Sequence, residues 1–211
     1  MAGRDQELAS EPSPPDATSV RILDAVMQVL TDFGFKKATV ELVAKAAGVA
    51  HTTVYRRWPT RADLFLAAIV REVHAVADAA FAAVDDAATF DDKVLVAFVE
   101  VVWSVHTHPL MARELRTDPE RALPLLTTAS APLMPGALAY VAQRLRDMAA
   151  DSGVGLDDPE SLADVLLRLA HSLVLMPNPS RPLSRKLDVD DYARRYLTPL
   201  TRAAVTTNIG S

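Results

Sequence analysis

The stretch TVELVAKAAGVAHTTVYRRWP, residues 39–59, contains two short helical segments separated by a glycine. Thr39 is placed to cap the first segment. The apolar residues of that segment fall on one side: Val40, Val43 and Ala47. Gly48 ends it, because glycine adopts the left-handed backbone of a tight turn without steric cost. The second segment runs from about His51 to Trp58, and Pro59 closes it. The pattern predicts a helix-turn-helix, the arrangement that places its second helix in the major groove of DNA.

The outward face of the second segment is the candidate reading surface. On a helical wheel Val54 points inward, and four polar side chains point away from it: Thr52, Thr53, Tyr55 and Arg56. Hydroxyl and guanidinium groups can donate to base edges or phosphates, and arginine can bind guanine through two hydrogen bonds. An ordinary solvated helix face would also be polar, but it would not explain why residues 43–60 contain no acid.

Charge is distributed unevenly along the 211 residues. The formal net charge is −5, which by itself argues against a nucleic-acid partner. Residues 18–66 nevertheless hold seven Lys or Arg against four Asp or Glu, whereas residues 1–17 hold one Arg and four acids. A basic segment on an acidic chain is typical of a small module that meets phosphate, joined to a larger part with another role.

Apolar periodicity predicts helices along the rest of the chain and no strands. Residues 1–17 are rich in Pro, Ser and acids and are interpreted as a disordered tail. The first helix follows, capped by Thr18 or Ser19 and stopped by Gly34, and Thr60 with Asp63 forms a capping box that opens a long fourth helix. Later helices are expected at 93–107, 137–150, 159–176 and 188–206, with short broken helices among the prolines between 109 and 135. The helix at 93–107 is apolar nearly all round, which predicts a central position in the core.

Several classes of function lack their sequence signals. The chain contains no cysteine, which excludes disulfides, thiolate metal sites and cysteine nucleophiles. It has no glycine-rich phosphate loop, no serine-hydrolase elbow and no paired metal motif, so we expect no enzyme, no cofactor and no metal. The pair His106 and His108 has a spacing that points the two rings apart on a helix. No signal peptide or membrane-spanning run is visible, which predicts a soluble, cytoplasmic protein.

The segment from Thr18 to Phe65 resembles the DNA-binding domain of the TetR (tetracycline-repressor) family of bacterial regulators. The shared motifs are G-F after the first helix, T-V-x-x-V-A-x-x-A-G-V, T-V-Y, and an aromatic-Pro-(Ser/Thr)-(Lys/Arg) corner followed by a leucine. The resemblance covers about 48 residues. It implies an all-α homodimer whose subunits each carry a three-helix reading head and a larger ligand-sensing domain. The expected division is a tail at 1–17, a helix-turn-helix domain at 18–59, and an effector-binding and dimerisation domain at 60–211.

Carried over by position, the resemblance assigns eight residues to DNA. Phosphate contacts are implied for Thr39, Tyr55 and Arg61. Groove-facing positions are His51, Thr52, Thr53 and Arg56. Arg57 is either a phosphate contact or a solvated side chain. Two positions depart from the family: Ala50 stands where a capping Ser is usual, so capping is expected from Thr52, His51 or water, and Trp58 replaces a Phe.

The larger domain is expected to hold an apolar effector and the dimer contact. The candidate effector residues lie on or beside the central helix: Trp103, His106, Met111, Met134 and Tyr140. Aromatic and Met residues at helical spacing also form ordinary core, and that alternative stays open. The helices at 159–176 and 188–206 have wide apolar faces, which predicts a four-helix bundle with a second copy.

The sequence therefore predicts a ligand-responsive regulator, a repressor released from a near-palindromic operator in double-stranded DNA by a hydrophobic or amphipathic small molecule. Release would follow from the different affinities of the effector for two states, transmitted by the fourth helix. Two alternatives remain. One is a helical carrier of an apolar ligand with a vestigial head, and the other is a helical enzyme using His106 or His171. Salt-dependent binding to duplex DNA would separate the regulator from the carrier.

Overall fold

The computed structural model describes residues 16–128, 130–176, 180 and 182–206. The chain divides into two compact units, Met1–Val70 and Arg71–Ser211. The predicted tail at 1–17 lies outside the described residues except for Asp16 and Ala17, which belong to the start of the first helix.

The first unit is helical. Its elements are α1 (Ala17–Lys37), α2 (Val40–Ala47), α3 (His51–Arg57) and the beginning of α4 (Arg61–Ala82). Its most deeply buried side chains come from all four helices: Ile22, Val26, Leu30, Val43, Val54 and Leu64. The predicted turn, second helix and recognition helix are confirmed to within one residue.

The start of α1 differs from the prediction. The helix begins at Ala17, and its N-cap is Asp16, whose carboxylate accepts a hydrogen bond of 2.8 Å from the Ser19 N–H. The predicted cap at Thr18 or Ser19 is wrong, because both residues lie inside the first turn. Gly34 interrupts the helical path with a φ of 75°, as its stop role predicts. At the start of α4, Thr60 and Asp63 form the predicted reciprocal capping box.

The second unit is built around one apolar helix. After α4 it contains α5 (Phe90–Thr107), α6 (Pro109–Thr117), α7 (Pro119–Leu126), a 3-10 turn (Ala131–Leu133), α8 (Met134–Asp151), α9 (Pro159–Leu175), α10 (Lys186–Tyr196) and α11 (Thr198–Ala204). Seven residues of α5 are buried in the core: Phe90, Val94, Leu95, Ala97, Phe98, Val99 and Val102. The predicted central helix is confirmed, as are the short helices among the prolines.

Two expectations for the second unit are wrong. Residues 188–206 do not form one helix, because Pro199 lacks the N–H that a continuing α10 would need and its ring would clash with the preceding turn. The absence of strands also fails locally: β1 (Gly155–Leu156) pairs antiparallel with β2 (Val205–Thr206). Gly155 suits this contact, since a Cβ there would lie 2.4 Å from the Thr206 Oγ1. A two-residue strand is too short to leave an alternating pattern in the sequence.

The length and hydropathy of a helix decide whether it could cross a membrane. Among residues with described structure, no single helix is long and apolar enough to cross a bilayer. Only α5 and α6 taken together reach that length and composition, and they are bent by 51° at their joint.

Candidate nucleic-acid interface

The turn before α3 is set by Gly48. Its backbone is left-handed, with φ 63° and ψ 38°, and its N–H bonds to carbonyls of the last turn of α2. A Cβ built at this position would meet no atom within 4 Å, so the backbone conformation, not lack of space, favours glycine here. This turn directs α3 away from α2.

The seven-residue helix α3 has one buried residue, Val54, which is fully inaccessible to solvent. His51, Thr52, Tyr55 and Arg56 are exposed and Thr53 is half-buried. The predicted groove-facing side chains therefore lie together on the outside of α3. Their contact with DNA stays a prediction.

The N-terminus of α3 lacks a side-chain cap. Ala50 has the extended backbone typical of an N-cap, with φ −69° and ψ 145°, but no side-chain hydrogen bond accompanies it. Only the Ala50 carbonyl acts here, accepting from the Thr53 N–H at 2.9 Å. Neither Thr52 nor His51 supplies the cap that the sequence suggested.

His51 contacts α2 and its own helix. Its Nε2 lies 3.2 Å from the Glu41 carboxylate, and its ring meets the edge of Tyr55 at a centroid distance of 4.6 Å. Hydrogen bonds from the backbone N–H of Glu41 and from the Thr39 hydroxyl lower the pKa of Glu41, and the His51 ring adds to the effect. The sequence reasoning missed Glu41 as a partner of His51, although Glu41 is the second residue of α2 and lies two residues after the cap Thr39.

Arg57 bonds to residues of the first turn of α1, and its contact with a phosphate stays a prediction. Its Nη2 donates to both carboxylate oxygens of Asp16, at 3.0 and 3.3 Å, and its Nε donates to the Ser19 hydroxyl at 3.0 Å. The Arg57 side chain is 21% exposed. These contacts join the last turn of α3 to the first turn of α1, and the sequence reasoning missed both partners.

Two of the family's phosphate positions also have structural contacts. Arg61 donates from Nε to the Ala38 carbonyl at 3.1 Å and from Nη2 to the Phe35 carbonyl, with its guanidinium 4.4 Å from the Phe65 ring centroid. Thr39 caps α2 by accepting from the Leu42 N–H at 3.3 Å.

Arg56 differs from both of its basic neighbours in α3 and α4. It is exposed and makes no hydrogen bond or ion pair with any described residue. Three lysines of the same unit are exposed as well: Lys36, Lys37 and Lys45. The described part of the first unit therefore presents exposed positive charge around α3.

The five candidate effector residues lie on α5, α6 and α8, and their part in a binding site stays a prediction. Trp103 stacks on His106 at 5.9 Å, while Met111 and Met134 are half-buried on other helices. Tyr140 donates to Asp78 at 2.5 Å. Burial and the Asp78 carboxylate raise the pKa of Tyr140.

An open cleft of about 390 Å³ lies elsewhere in the second unit, between the end of α8 and the start of α9. Its lining includes Arg146, Ala150, Leu156 and Glu160 and none of the five candidates. Two other histidines have internal partners: the His108 ring lies 3.2 Å from Glu72, and the His171 ring contacts the Leu126 carbonyl.

The last helices use much of their apolar surface inside their own chain. In α10 and the residue after it, Val189, Ala193 and Leu197 are buried in the core, while Leu187 and Tyr196 are exposed. In α9, Leu162, Ala163 and Leu166 are buried in the same way. Val165 and Met176 remain 38% and 74% exposed, so α9 offers apolar surface to a partner.

Comparison with known proteins shows which family model and which regulators this chain is similar to. Residues 22–68 match the family model for bacterial regulatory proteins, tetR family. An uncharacterized HTH-type transcriptional regulator, Rv1556 of Mycobacterium tuberculosis, is 36% identical over 80 residues, which is 36% of this chain and 40% of that protein. The HTH-type transcriptional repressor LfrR of Mycolicibacterium smegmatis is 36% identical over 114 residues, covering 51% of this chain and 57% of LfrR.

A solved structure extends the similarity in fold over nearly the whole chain. The TetR family repressor AlkX from a Dietzia species superimposes with a TM-score of 0.70 at 17% identity, covering 92% of this chain and 100% of AlkX. The aligned region spans only 40% of the length of Rv1556, so the sequence match itself is concentrated in part of that relative. Residues 22–68, which contain the helix-turn-helix at residues 40–57, therefore carry the domain of the tetR family of bacterial regulatory proteins.

Proposed function

We propose that this chain is a DNA-binding transcriptional regulator that inserts α3 into the major groove of an operator. The observation that carries the proposal is the outer face of α3, where Thr52, Tyr55 and Arg56 are exposed and no acid lies between residues 43 and 60. Arg56 has no partner among the described residues, so its guanidinium can bind a guanine edge without breaking an internal contact. The relationship to LfrR, a repressor, supports repression as the mode of action.

The test is a selection of bound duplexes from random double-stranded DNA with the full-length chain, followed by affinity measurements across a salt series. We expect one enriched, near-palindromic sequence. Its affinity should fall steeply with salt, because Lys and Arg contacts to phosphates release counterions. Binding without sequence preference, or no binding to duplex DNA, would instead favour a helical carrier.

The regulator would act as a homodimer, so that two copies of α3 enter successive major grooves about one helical turn or a multiple apart. The support from the structure is the exposed apolar surface of α9 at Val165 and Met176, near the predicted dimer segments 159–176 and 188–206. Within α10, Val189 and Ala193 are buried in the chain's own core, but Leu187 and Tyr196 are exposed, so both predicted segments keep apolar surface for the proposed contact.

A small apolar or amphipathic effector would bind the second unit and shift the population of DNA-binding states. Trp103 of α5 packs against the core and can report such binding. The chain contains two tryptophans, so Trp58→Phe leaves Trp103 as the only indole fluorophore. Linear alkanes are a sensible first probe, since the fold relative AlkX is implicated in their biodegradation. An effector should change the Trp103 emission and lower operator affinity over the same concentration range.

A further inference from the structure

The recognition helix α3 is weakly held by its own backbone and core contacts. It has seven residues, one buried side chain and no side-chain cap. A helix this short is not stable alone in water, so its position depends on contacts with the rest of the first unit. The contacts that hold it therefore influence how it is presented to DNA.

One such contact is the group of side-chain hydrogen bonds formed by Arg57, Asp16 and Ser19, called here the α1–α3 clasp. The Arg57 guanidinium donates from two of its nitrogens: Nη2 donates to the two Asp16 oxygens, and Nε donates to the Ser19 hydroxyl. Its Nη1 also lies 3.5 Å from the Thr53 carbonyl. The planar guanidinium is thus bonded to α1 and to α3 at the same time.

Asp16 is itself held in place. As the N-cap of α1 it accepts from the Ser19 N–H at 2.8 Å, so Ser19 donates its N–H to Asp16 and accepts from Arg57 through its hydroxyl. The Ser19 N–H and the Arg57 guanidinium lower the pKa of Asp16, because both stabilise the ionised carboxylate. The clasp is a closed set of three side chains on two helices.

Resting on the proposed function, we propose that Asp16 is a positioning residue for α3: an acid that strengthens DNA binding by holding Arg57, and with it the orientation of the reading face. The opposite role would be that Asp16 masks Arg57 from a phosphate. The geometry favours positioning, because Arg57 is only 21% exposed and its nitrogens already have internal acceptors. The adjacent exposed Arg56 is available for DNA without any such exchange.

The two roles predict opposite signs for one substitution. Asp16→Asn keeps an oxygen that can cap α1 but removes the charge that binds Arg57. Asp32→Asn, at an exposed acid elsewhere on α1, is the matched control for the change in net charge. We expect Asp16→Asn to weaken operator binding by roughly five- to tenfold, as for two directly coupled residues. Asp32→Asn should leave affinity unchanged or raise it slightly, since it removes repulsion from phosphate.

A double-mutant cycle shows whether Asp16 acts through Arg57. If it does, Arg57→Gln should weaken binding without changing the salt slope, and Asp16→Asn should add little in the Arg57→Gln background. Arg57→Lys should also weaken binding, because lysine keeps the charge but not the planar fork. Thermal unfolding of each variant checks that the first unit remains folded.

Three results would contradict the positioning role of Asp16, and each leads to a different conclusion. Tighter binding by Asp16→Asn would overturn the positioning role and show masking. A salt slope reduced by about one in Arg57→Gln would make Arg57 a phosphate contact and overturn it equally. If the wild-type chain shows no preference for any duplex, the proposed function is overturned, and the role of Asp16 with it.

Discussion

Arg56 and Arg57 are adjacent in the chain, and the rotation of about 100° per residue in a helix turns their side chains toward different surroundings. Arg56 faces solvent and has no partner among the residues that the structure describes, whereas Arg57 bonds to Asp16 and Ser19 across the unit. Helical spacing is enough to predict that Val54 is buried and Arg56 exposed. It does not predict the partner of Arg57, because Asp16 lies 41 residues away in a segment whose composition resembles a disordered tail.

At the residue scale the central prediction concerns Arg56. Arg56→Ala should reduce affinity for the selected operator by about 1–3 kcal/mol and relax the base preference at one position in each half-site, the expected effect of losing a bidentate arginine–guanine contact. Arg116→Ala, at an exposed arginine of α6, is the control and should not change binding. The measurement is operator affinity across single-base variants, and an unaltered preference in Arg56→Ala would contradict the assignment.

At the scale of elements, a side-chain cap at the N-terminus of a helix helps to hold that helix in place. Thr39 and Asp158 cap α2 and α9 with side-chain hydrogen bonds, and Thr60 with Asp63 forms a capping box at the start of α4. The recognition helix lacks such a cap, since Ala50 has an N-cap backbone without a capping side chain, and α6, α7, α8 and α11 also begin without one. Turn and cap residues made most of these boundaries predictable, because their signals are local.

The missing cap of α3 can be supplied. Ala50 already has the extended backbone of an N-cap, so Ala50→Ser requires no rearrangement. We expect it to raise the free energy of unfolding of the first unit by about 0.5–2 kcal/mol, because the serine hydroxyl can accept an N–H of the first turn. Chemical denaturation followed by helical circular dichroism measures this. Ala46→Ser, at an exposed site within α2, is the control and should give no gain.

The cap of α9 should make stability depend on acid pH. Hydrogen bonds from the Ser161 hydroxyl and N–H lower the pKa of Asp158 below its ordinary value of 3.8. Since the folded-state pKa is the lower one, the stabilisation is complete above pH 3.8 and is lost as the pH falls through the folded-state value. Asp158→Asn does not titrate, so the variant should be less stable than the wild type near neutrality and converge with it in strong acid.

Urea unfolding at a series of pH values measures this convergence. Asp157→Asn removes an adjacent exposed carboxylate that caps no helix, and its stability should parallel that of the wild type. A constant difference between Asp158→Asn and the wild type down to the lowest pH would show that the cap does not depend on its charge.

At the scale of the whole molecule, the two units differ in how far the sequence could describe them. The first unit has local turn and cap signals and a shared family motif, and its helices were predicted closely. In the second unit the central helix α5 was predicted from its apolar composition. The burial of part of α10 in the core of its own chain was not predicted. A wide apolar face predicts that the face is buried. It does not predict whether the surface that covers Val189 and Ala193 belongs to the same chain or to a partner.

The remaining apolar surface of α9 gives the prediction for assembly. Val165 is 38% exposed on the outer side of α9, and in a two-fold symmetric contact a substitution there occurs twice at the interface. Val165→Glu should therefore place two carboxylates in a desolvated contact and convert the dimer to a monomer that retains its helical content. Val73→Glu, at a 56% exposed position of α4, adds the same charge elsewhere and should remain dimeric. Light scattering at several concentrations distinguishes the species.

Operator binding should follow the oligomeric state. A monomer carries one copy of α3 and loses the second half-site, so Val165→Glu should bind the full operator far more weakly, while Val73→Glu binds as the wild type does. If Val165→Glu stays dimeric and Val73→Glu does not, the partner covers α4 and not α9. If the wild type is itself a monomer in solution and on the operator, two-fold reading is excluded, and the near-palindrome expected from selection should be replaced by a single short site.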